Sequence, residues 1–253
     1  MESTPKEIYH QIFNTAGEDP NIIGFFLGGS RGKEREMIYS DYDIYIITKD
    51  KVLNEYKLRY PMNKYKGIDL ILYSLSEFKK YAYWNGPEQW DRYNFTRIKV
   101  KIDKNNEIQN LVDEKGKIPV DNLKNFIEEE LDSYINYVYR SLKCLRDQDI
   151  DAARLEASIS IHNFLNLIFA IHNNRLCPYY KYLKWELANF ALNKIPLKSS
   201  EIITSIEKIL CNADSHTQYS LFLMIEILLR KEGYGDIFDK WGVNLTWIKN
   251  YKH

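Results

Sequence analysis

Apolar positions in the first half of the chain come in short runs whose period keeps changing. In STPKEIYHQIFNTA they recur at helical spacing, with Ser3 or Thr4 as the cap and Pro5 in the first turn. NIIGFFL then reads as a strand that ends on Gly28–Gly29, and SDYDIYIIT and KGIDLILYSL read as two more, rich in Ile, Leu and Tyr. SEFKKYAYW opens on a capping serine, Ser76, and predicts a short helix. RYNFTRIKVKIDKNNEI alternates well enough to predict a further strand, turning at Asp103–Asn106.

After Pro119 the period settles at that of a helix. DNLKNFIEEELDSYINYVYRSLKCLRD predicts a long helix with Asp121 as its N-cap. DIDAARLEASISIHNFLNLIFAIHNN is apolar around most of its circumference, which predicts a central helix. YYKYLKWELANFALN, SSEIITSIEKILCNA and SHTQYSLFLMIEILLRKEG complete a helical set. The boundary falls near residues 117–121, which divides the chain into an α/β or α+β part, 1–118, and a helical part, 119–253.

Charge and cysteine usage narrow the classes. Lys+Arg and Asp+Glu balance at 35 each, which disfavours a large nucleic-acid footprint or an anionic membrane surface as partner. Cys144, Cys177 and Cys211 lie far apart without a CxxC pair, so neither a disulfide scaffold nor a zinc ribbon is expected. The histidines form no HExxH or HxH cluster, and His10, His216 and His253 carry no chemical signal. No signal peptide is evident in MESTPKEIYHQIFNTAGEDP, and no apolar run reaches the ~18–20 residues that span a bilayer. The expected location is the cytoplasm, with no membrane partner.

The candidate chemistry sits in FFLGGSRGKEREMIYSDYDIYII, from Phe25 to Ile47. Glycine turns ahead of a helix commonly hold phosphates through backbone N–H groups. A P-loop ending at Gly32–Lys33 needs glycine at 27 and Ser or Thr at 34, where this chain has Leu27 and Glu34. A dinucleotide fingerprint ending at Gly32 fails at Leu27 as well. On a strand, Asp41 and Asp43 share a face while Tyr42, Ile44 and Ile46 turn to the core. Like charges on neighbouring same-face positions repel, and a divalent cation removes that cost. Asp69, between Ile68 and Leu70, meets them if the two strands pair, giving a three-carboxylate site beside a phosphate-binding turn.

Plainer accounts exist for each residue. The glycines can form a bare turn, the Asp41–Asp43 pair a solvated strand edge, and Asp69 a hydrogen-bonded structural carboxylate. Arg31, Lys33 and Arg35 fit a solvated basic turn, Lys181 and Lys184 an exposed helix face, and Glu128–Glu130 a solvated one. Glu156 and His162, polar interruptions of the second helix, can be satisfied by neighbouring helices or line a cleft. Trp84 and Trp90, near the aromatic segment from Pro87 to Phe95, fit a packing role better than a nucleobase contact.

GGSRG followed by SDYDIYII, with a later strand aspartate, resembles the nucleotidyltransferase superfamily shared with polymerase beta. The resemblance covers roughly residues 22–73. Within it the chain is similar to the aminoglycoside, streptomycin and lincosamide nucleotidyltransferases, antibiotic-modifying enzymes with a short catalytic domain and a helical second domain. That resemblance implies an α+β fold: a nucleotidyltransferase domain with a small mixed sheet flanked by helices, then a helical bundle contributing to the substrate cleft. It implies transfer of a nucleoside monophosphate, AMP from ATP or another NTP, to a hydroxyl of a small acceptor, with release of pyrophosphate. Gly28, Gly29, Ser30 and Arg31 would bind the nucleotide, with Lys181 or Lys184 reaching the triphosphate. Asp41, Asp43 and Asp69 would hold one or two Mg²⁺ ions, and Asp69 or Glu156 would act as general base. Some relatives share the acceptor site between subunits, so the resemblance allows a homodimer. Two other readings stay open: transfer to a protein or a tRNA end, and a non-catalytic nucleotide-binding module.

Overall fold

The computed structural model describes residues 4–251, so Ser3 and His253 lie outside the described residues. The chain divides into two compact units, Met1–Ile118 and Pro119–His253. The fold is α+β.

The first unit opens with α1 (Pro5–Glu18), capped by Thr4: its hydroxyl accepts the Glu7 N–H and the Glu7 carboxylate accepts the Thr4 N–H. Then come β1 (Ile22–Leu27), the single turn α2 (Gly29–Gly32), β2 (Tyr42–Thr48), α3 (Leu53–Arg59), β3 (Ile68–Ser74), α4 (Leu75–Lys80), β4 (Ile102–Asp103) and α5 (Ile108–Lys115). The sheet order is β3-β2-β1-β4. β2 runs parallel to β3, and β1 runs antiparallel to both β2 and β4, which makes the sheet mixed.

Both faces of this sheet are covered. Ile44, Ile46, Leu70 and Leu72 pack with Ile12 and Ala16 of α1 and with Leu53 and Tyr56 of α3. On the opposite face Phe26, Tyr45 and Ile47 pack with Phe78 of α4, Phe95, and Ile108 and Val112 of α5. Two-sided burial explains why β2 and β3 read as nearly continuous apolar runs. It also makes the two aspartates on these strands conspicuous.

Several expected elements differ in the structure. The helix in SEFKKYAYW is capped by Ser74, not Ser76, because Ser74 and Glu77 form the capping box. The Ser76 N–H and hydroxyl both go to Asp50 instead. The strand expected over residues 92–108 shrinks to Ile102–Asp103, and Gln89–Phe95 forms a 3-10 turn. Side chains replace the missing ladder. Buried Lys33 donates from Nζ to the Tyr93, Asn94 and Thr96 carbonyls at 3.0, 3.2 and 2.7 Å. Arg92 donates to the carbonyls of Ala82, Glu114 and Lys117. Lys33 is therefore no solvated turn residue, and Trp90 is 69% exposed.

The second unit is all helix: α6 (Val120–Arg146), α7 (Ile150–Ala170), α8 (Tyr180–Asn189), α9 (Ser199–Asn212), α10 (Ser215–Lys231), α11 (Gly235–Lys240) and α12 (Gly242–Lys249). α6 begins one residue before Asp121, with Pro119 at the cap position and no side-chain cap. α7 is the central helix that its apolar circumference predicts, buried continuously from Asn163 to Ala170. The two short helices after Gly233 carried no separate sequence signal. His172, just past α7, donates from Nδ1 to the Ile168 carbonyl and accepts the Lys194 N–H at Nε2, which fixes a neutral tautomer.

Two outcomes are expected. Lys33→Met leaves three carbonyls without their donor, so the urea midpoint falls by the equivalent of roughly 1–3 kcal/mol with an unchanged m-value. Burial pushes the His172 imidazole below its ordinary value of 6.5. Between that lowered value and about 6.5 the unfolded chain binds more protons than the folded one. Stability is therefore full above that window and falls as pH drops through it, and urea titrations of His172→Gln should show a flatter slope there.

Candidate active site

The glycine turn is shaped by contacts that leave no room for a side chain. Gly29 has φ +54°, and a Cβ on it would sit 1.9 Å from Asp43 Oδ2. A Cβ on Gly28 would meet the Tyr45 ring at 2.5 Å, and one on Gly32 would meet the Leu27 carbonyl oxygen at 2.1 Å. Gly28 N–H donates to the Asp43 carbonyl at 2.8 Å, so this amide belongs to the strand pairing and not to a ligand. The Gly32 N–H closes the turn on the Gly28 carbonyl at 2.7 Å. The next three amides, of Gly29, Ser30 and Arg31, open α2 and have no acceptor within the turn.

The strand register decides which carboxylates meet. Asp43 pairs directly with Asp69 across the parallel β2 and β3, so their side chains leave the sheet on the same face. It is the face that carries Tyr45, Ile47 and Tyr73 further along. Both aspartates are half-buried. Like charges at the ~5 Å spacing of neighbouring strands repel by about 1–3 kcal/mol at an effective dielectric between roughly 80 and 20. Asp41 is placed differently. It is exposed and precedes the first residue of β2, outside the ladder. Among the described residues no three His, Cys, Asp or Glu side chains are gathered closely enough to hold a metal ion together.

The segment between the turn and β2 is tied back to the turn. Ser30 Oγ donates to Ser40 Oγ at 2.9 Å, and Ser40 Oγ also accepts the Met37 N–H at 2.8 Å. The Arg31 guanidinium donates to the carbonyls of Ser40 and Asp41 and lies 3.9 Å over the Tyr42 ring. Between those ties Met37, Ile38 and Tyr39 are exposed. Two open hollows of about 290 and 310 Å³ flank Arg31, and Lys6 and Tyr42 line both.

The helical unit places the other expected residues as follows. Glu156 on α7 is ion-paired with Arg140 on α6 through Oε1, and its Oε2 is buried without a hydrogen-bond partner. Lys184 pairs with Glu207 of α9 at 3.6 Å, and Lys181 lies 5.0 Å from the Tyr182 ring, both exposed. Glu130, expected on a solvated face, is half-buried and accepts from Asn163 Nδ2 at 2.7 Å. His162 bonds Tyr180 and Asn166. Sequence reading missed the Arg175–Glu186 pair, 3.0 Å, in which Glu186 is 1% exposed. A lone glutamate among YLKWELAN carries no signal that its partner lies in the preceding loop.

No protein-family model matches this chain, and no curated protein matches it. Among solved structures it is similar to that of a nucleotidyltransferase-like protein from Exiguobacterium sibiricum 255-15. The identity is 10%, the alignment covers 98% of this chain and 88% of that one, and the TM-score is 0.44.

Gly29→Ala is expected to fail on both counts that make it glycine, the left-handed backbone and the Asp43 carboxylate. The conformational part alone costs about 1–2 kcal/mol, so thermal unfolding should show a lowered Tm, whereas Gly17→Ala, in α1 with no atom near its Cβ, should hold or raise it.

Proposed function

We propose that this chain is a nucleotidyltransferase that moves a nucleoside monophosphate from an NTP, ATP in the first instance, to a hydroxyl of a small acceptor such as an aminoglycoside. The observation that carries this reading is the in-register Asp43–Asp69 pair on adjacent parallel strands, with the Asp43 carboxylate packed against Gly29. A fold has no packing reason to set two carboxylates side by side at the end of an otherwise apolar sheet face.

The donor set fits Mg²⁺. That ion takes one or two carboxylates and leaves its other positions to water and substrate phosphates, so a pair of hard oxygen ligands, with Asp41 nearby in sequence, is a better match than a closed cage. Asp43 and Asp69 would hold it, and Asp41, which is not gathered with them here, would have to turn toward them to join. When bound, it neutralises triphosphate charge and stabilises the leaving oxygen.

The chain's own groups do the rest. The Gly29 and Ser30 amides, which have no acceptor within the turn, would donate to the β- and γ-phosphates. Asp69 takes the acceptor's hydroxyl proton as the acceptor oxygen bonds to the α-phosphorus. The bond from that phosphorus to the β-phosphate oxygen breaks, and pyrophosphate leaves. Asp69 is preferred over Glu156 as base because one Glu156 oxygen is committed to Arg140.

Pyrophosphate release from ATP with Mg²⁺ and a panel of hydroxylated acceptors, aminoglycosides first, tests the reading. Asp43→Asn is expected to reduce turnover by about a hundredfold or more. A fully active Asp43→Asn overturns the assignment, and metal-dependent ATP binding without turnover on any acceptor favours a non-catalytic nucleotide module. Asp69→Asn should also lose turnover, yet without metal its Tm should equal or exceed wild type, because one of two repelling charges is gone.

A further inference from the structure

We propose that Arg31 is a positioning residue: it clamps Ser40 and Asp41 against the glycine turn and does not bind the triphosphate. The proposal concerns the same site and rests on the nucleotidyltransferase reading for its functional consequence, though not for its geometry.

Two of the three guanidinium nitrogens are already engaged with the backbone. Nε lies 3.2 Å from the Ser40 carbonyl and 2.9 Å from the Asp41 carbonyl, and Nη2 lies 2.7 Å from the Ser40 carbonyl. Its Cζ lies 3.9 Å from the centroid of the Tyr42 ring, which is buried and itself stacks with Tyr9 of α1 at 5.2 Å. Turning Nε or Nη2 onto a phosphate would give up the hold on Ser40 and Asp41.

Asp41 needs such a device. It precedes β2, and the first ladder-type bond on this side is from Tyr42 N–H to the Gly67 carbonyl, 3.0 Å, one residue later. Strand pairing therefore aims Asp43 and Asp69 but leaves Asp41 unaimed. Neighbouring residues of the turn supply what pairing does not: Ser30 holds the Ser40 side chain, and Arg31 holds the Ser40 and Asp41 backbone. Three exposed residues, Met37 to Tyr39, precede this anchor, in a turn closed by the Ser40 N–H on the Met37 carbonyl at 2.9 Å.

Lysine distinguishes the two roles. A phosphate ligand needs positive charge, which Arg31→Lys retains. A clamp on two successive carbonyls with a stacked plane needs the planar fork, which lysine lacks.

The test compares wild type, Arg31→Lys and Arg31→Ala by three measurements: amide hydrogen exchange over residues 37–42, ATP binding in EDTA by calorimetry, and the Mg²⁺ concentration giving half-maximal pyrophosphate release. Both variants are expected to exchange about tenfold or more faster over 37–42, the consequence of losing charge-assisted bonds. Both should need several-fold more Mg²⁺, with metal-free ATP affinity unchanged within a factor of about two. Unchanged exchange overturns the clamp. So does a drop in metal-free ATP affinity in Arg31→Ala that Arg31→Lys restores. If wild type neither binds ATP nor releases pyrophosphate, the functional reading fails, while hydrogen exchange still decides whether Arg31 holds Ser40 and Asp41.

Discussion

The parallel pairing of β2 with β3 is the constraint on which the candidate site depends. In this register Asp43 stands opposite Asp69, and Ile44 and Ile46 stand opposite Leu70 and Leu72. Because side chains alternate, a slip of one residue would turn Asp69 toward the face buried under α1 and α3 and bring Leu70 and Leu72 out of that core. The same hydrophobic contacts that hold the sheet therefore hold the two carboxylates together, against their mutual repulsion. Burial on both faces stabilises more than that repulsion costs: each fully buried Ile or Leu contributes about 1.5–3 kcal/mol relative to exposure.

The glycine turn is subordinate to that register. Gly28 N–H bonds the Asp43 carbonyl, and Gly29 lies against the Asp43 carboxylate, so the turn is placed by the strand residue that it serves. Lys33, four residues on from Gly29, then anchors the far end of the turn to the irregular segment around Tyr93–Thr96. The first unit uses the same device elsewhere. Lys115 Nζ donates to the Lys79 and Tyr81 carbonyls, and Arg92 to three others. Burial pushes the Lys115 ammonium down to about 8, with the nearby Arg92 charge adding to it, and the Arg92 guanidinium down to about 10. Buried cations thus satisfy carbonyls of the irregular Tyr93–Thr96 segment and carbonyls at the ends of α4 and α5.

In the helical unit, polar side chains inside the bundle serve registration between helices. Ser141 of α6 donates to the Ala153 carbonyl of α7, Arg140 meets Glu156, and Asn163 meets Glu130, three ties spaced along one antiparallel seam. The polar interruptions of α7 that stand out in the sequence are thus largely accounted for by its neighbours, and Glu156 Oε2 and Asn163 Oδ1 remain as buried acceptors without a donor.

Much of this was legible in residue order, and the reason is local. Helical period, the Thr4 cap, the apolar strands and the change of character at Pro119 depend on neighbours within a few positions. The glycine turn was legible because only glycine fits where Gly29 and Gly32 lie, and the aspartates because a charge in an apolar run is costly. What the tertiary structure alone decided involves partners far apart in sequence. Whether Asp69 meets Asp43 is a matter of strand register. That Asp41 falls outside the ladder depends on where pairing with Gly67 begins. The fate of residues 92–108 turned on Lys33, about sixty positions earlier, capturing carbonyls that a strand would have used. Alternation predicts a strand only when an edge is available to pair with it. Here the β1 edge takes up only Ile102–Asp103 as β4, and buried cations hold the carbonyls of Tyr93, Asn94 and Thr96.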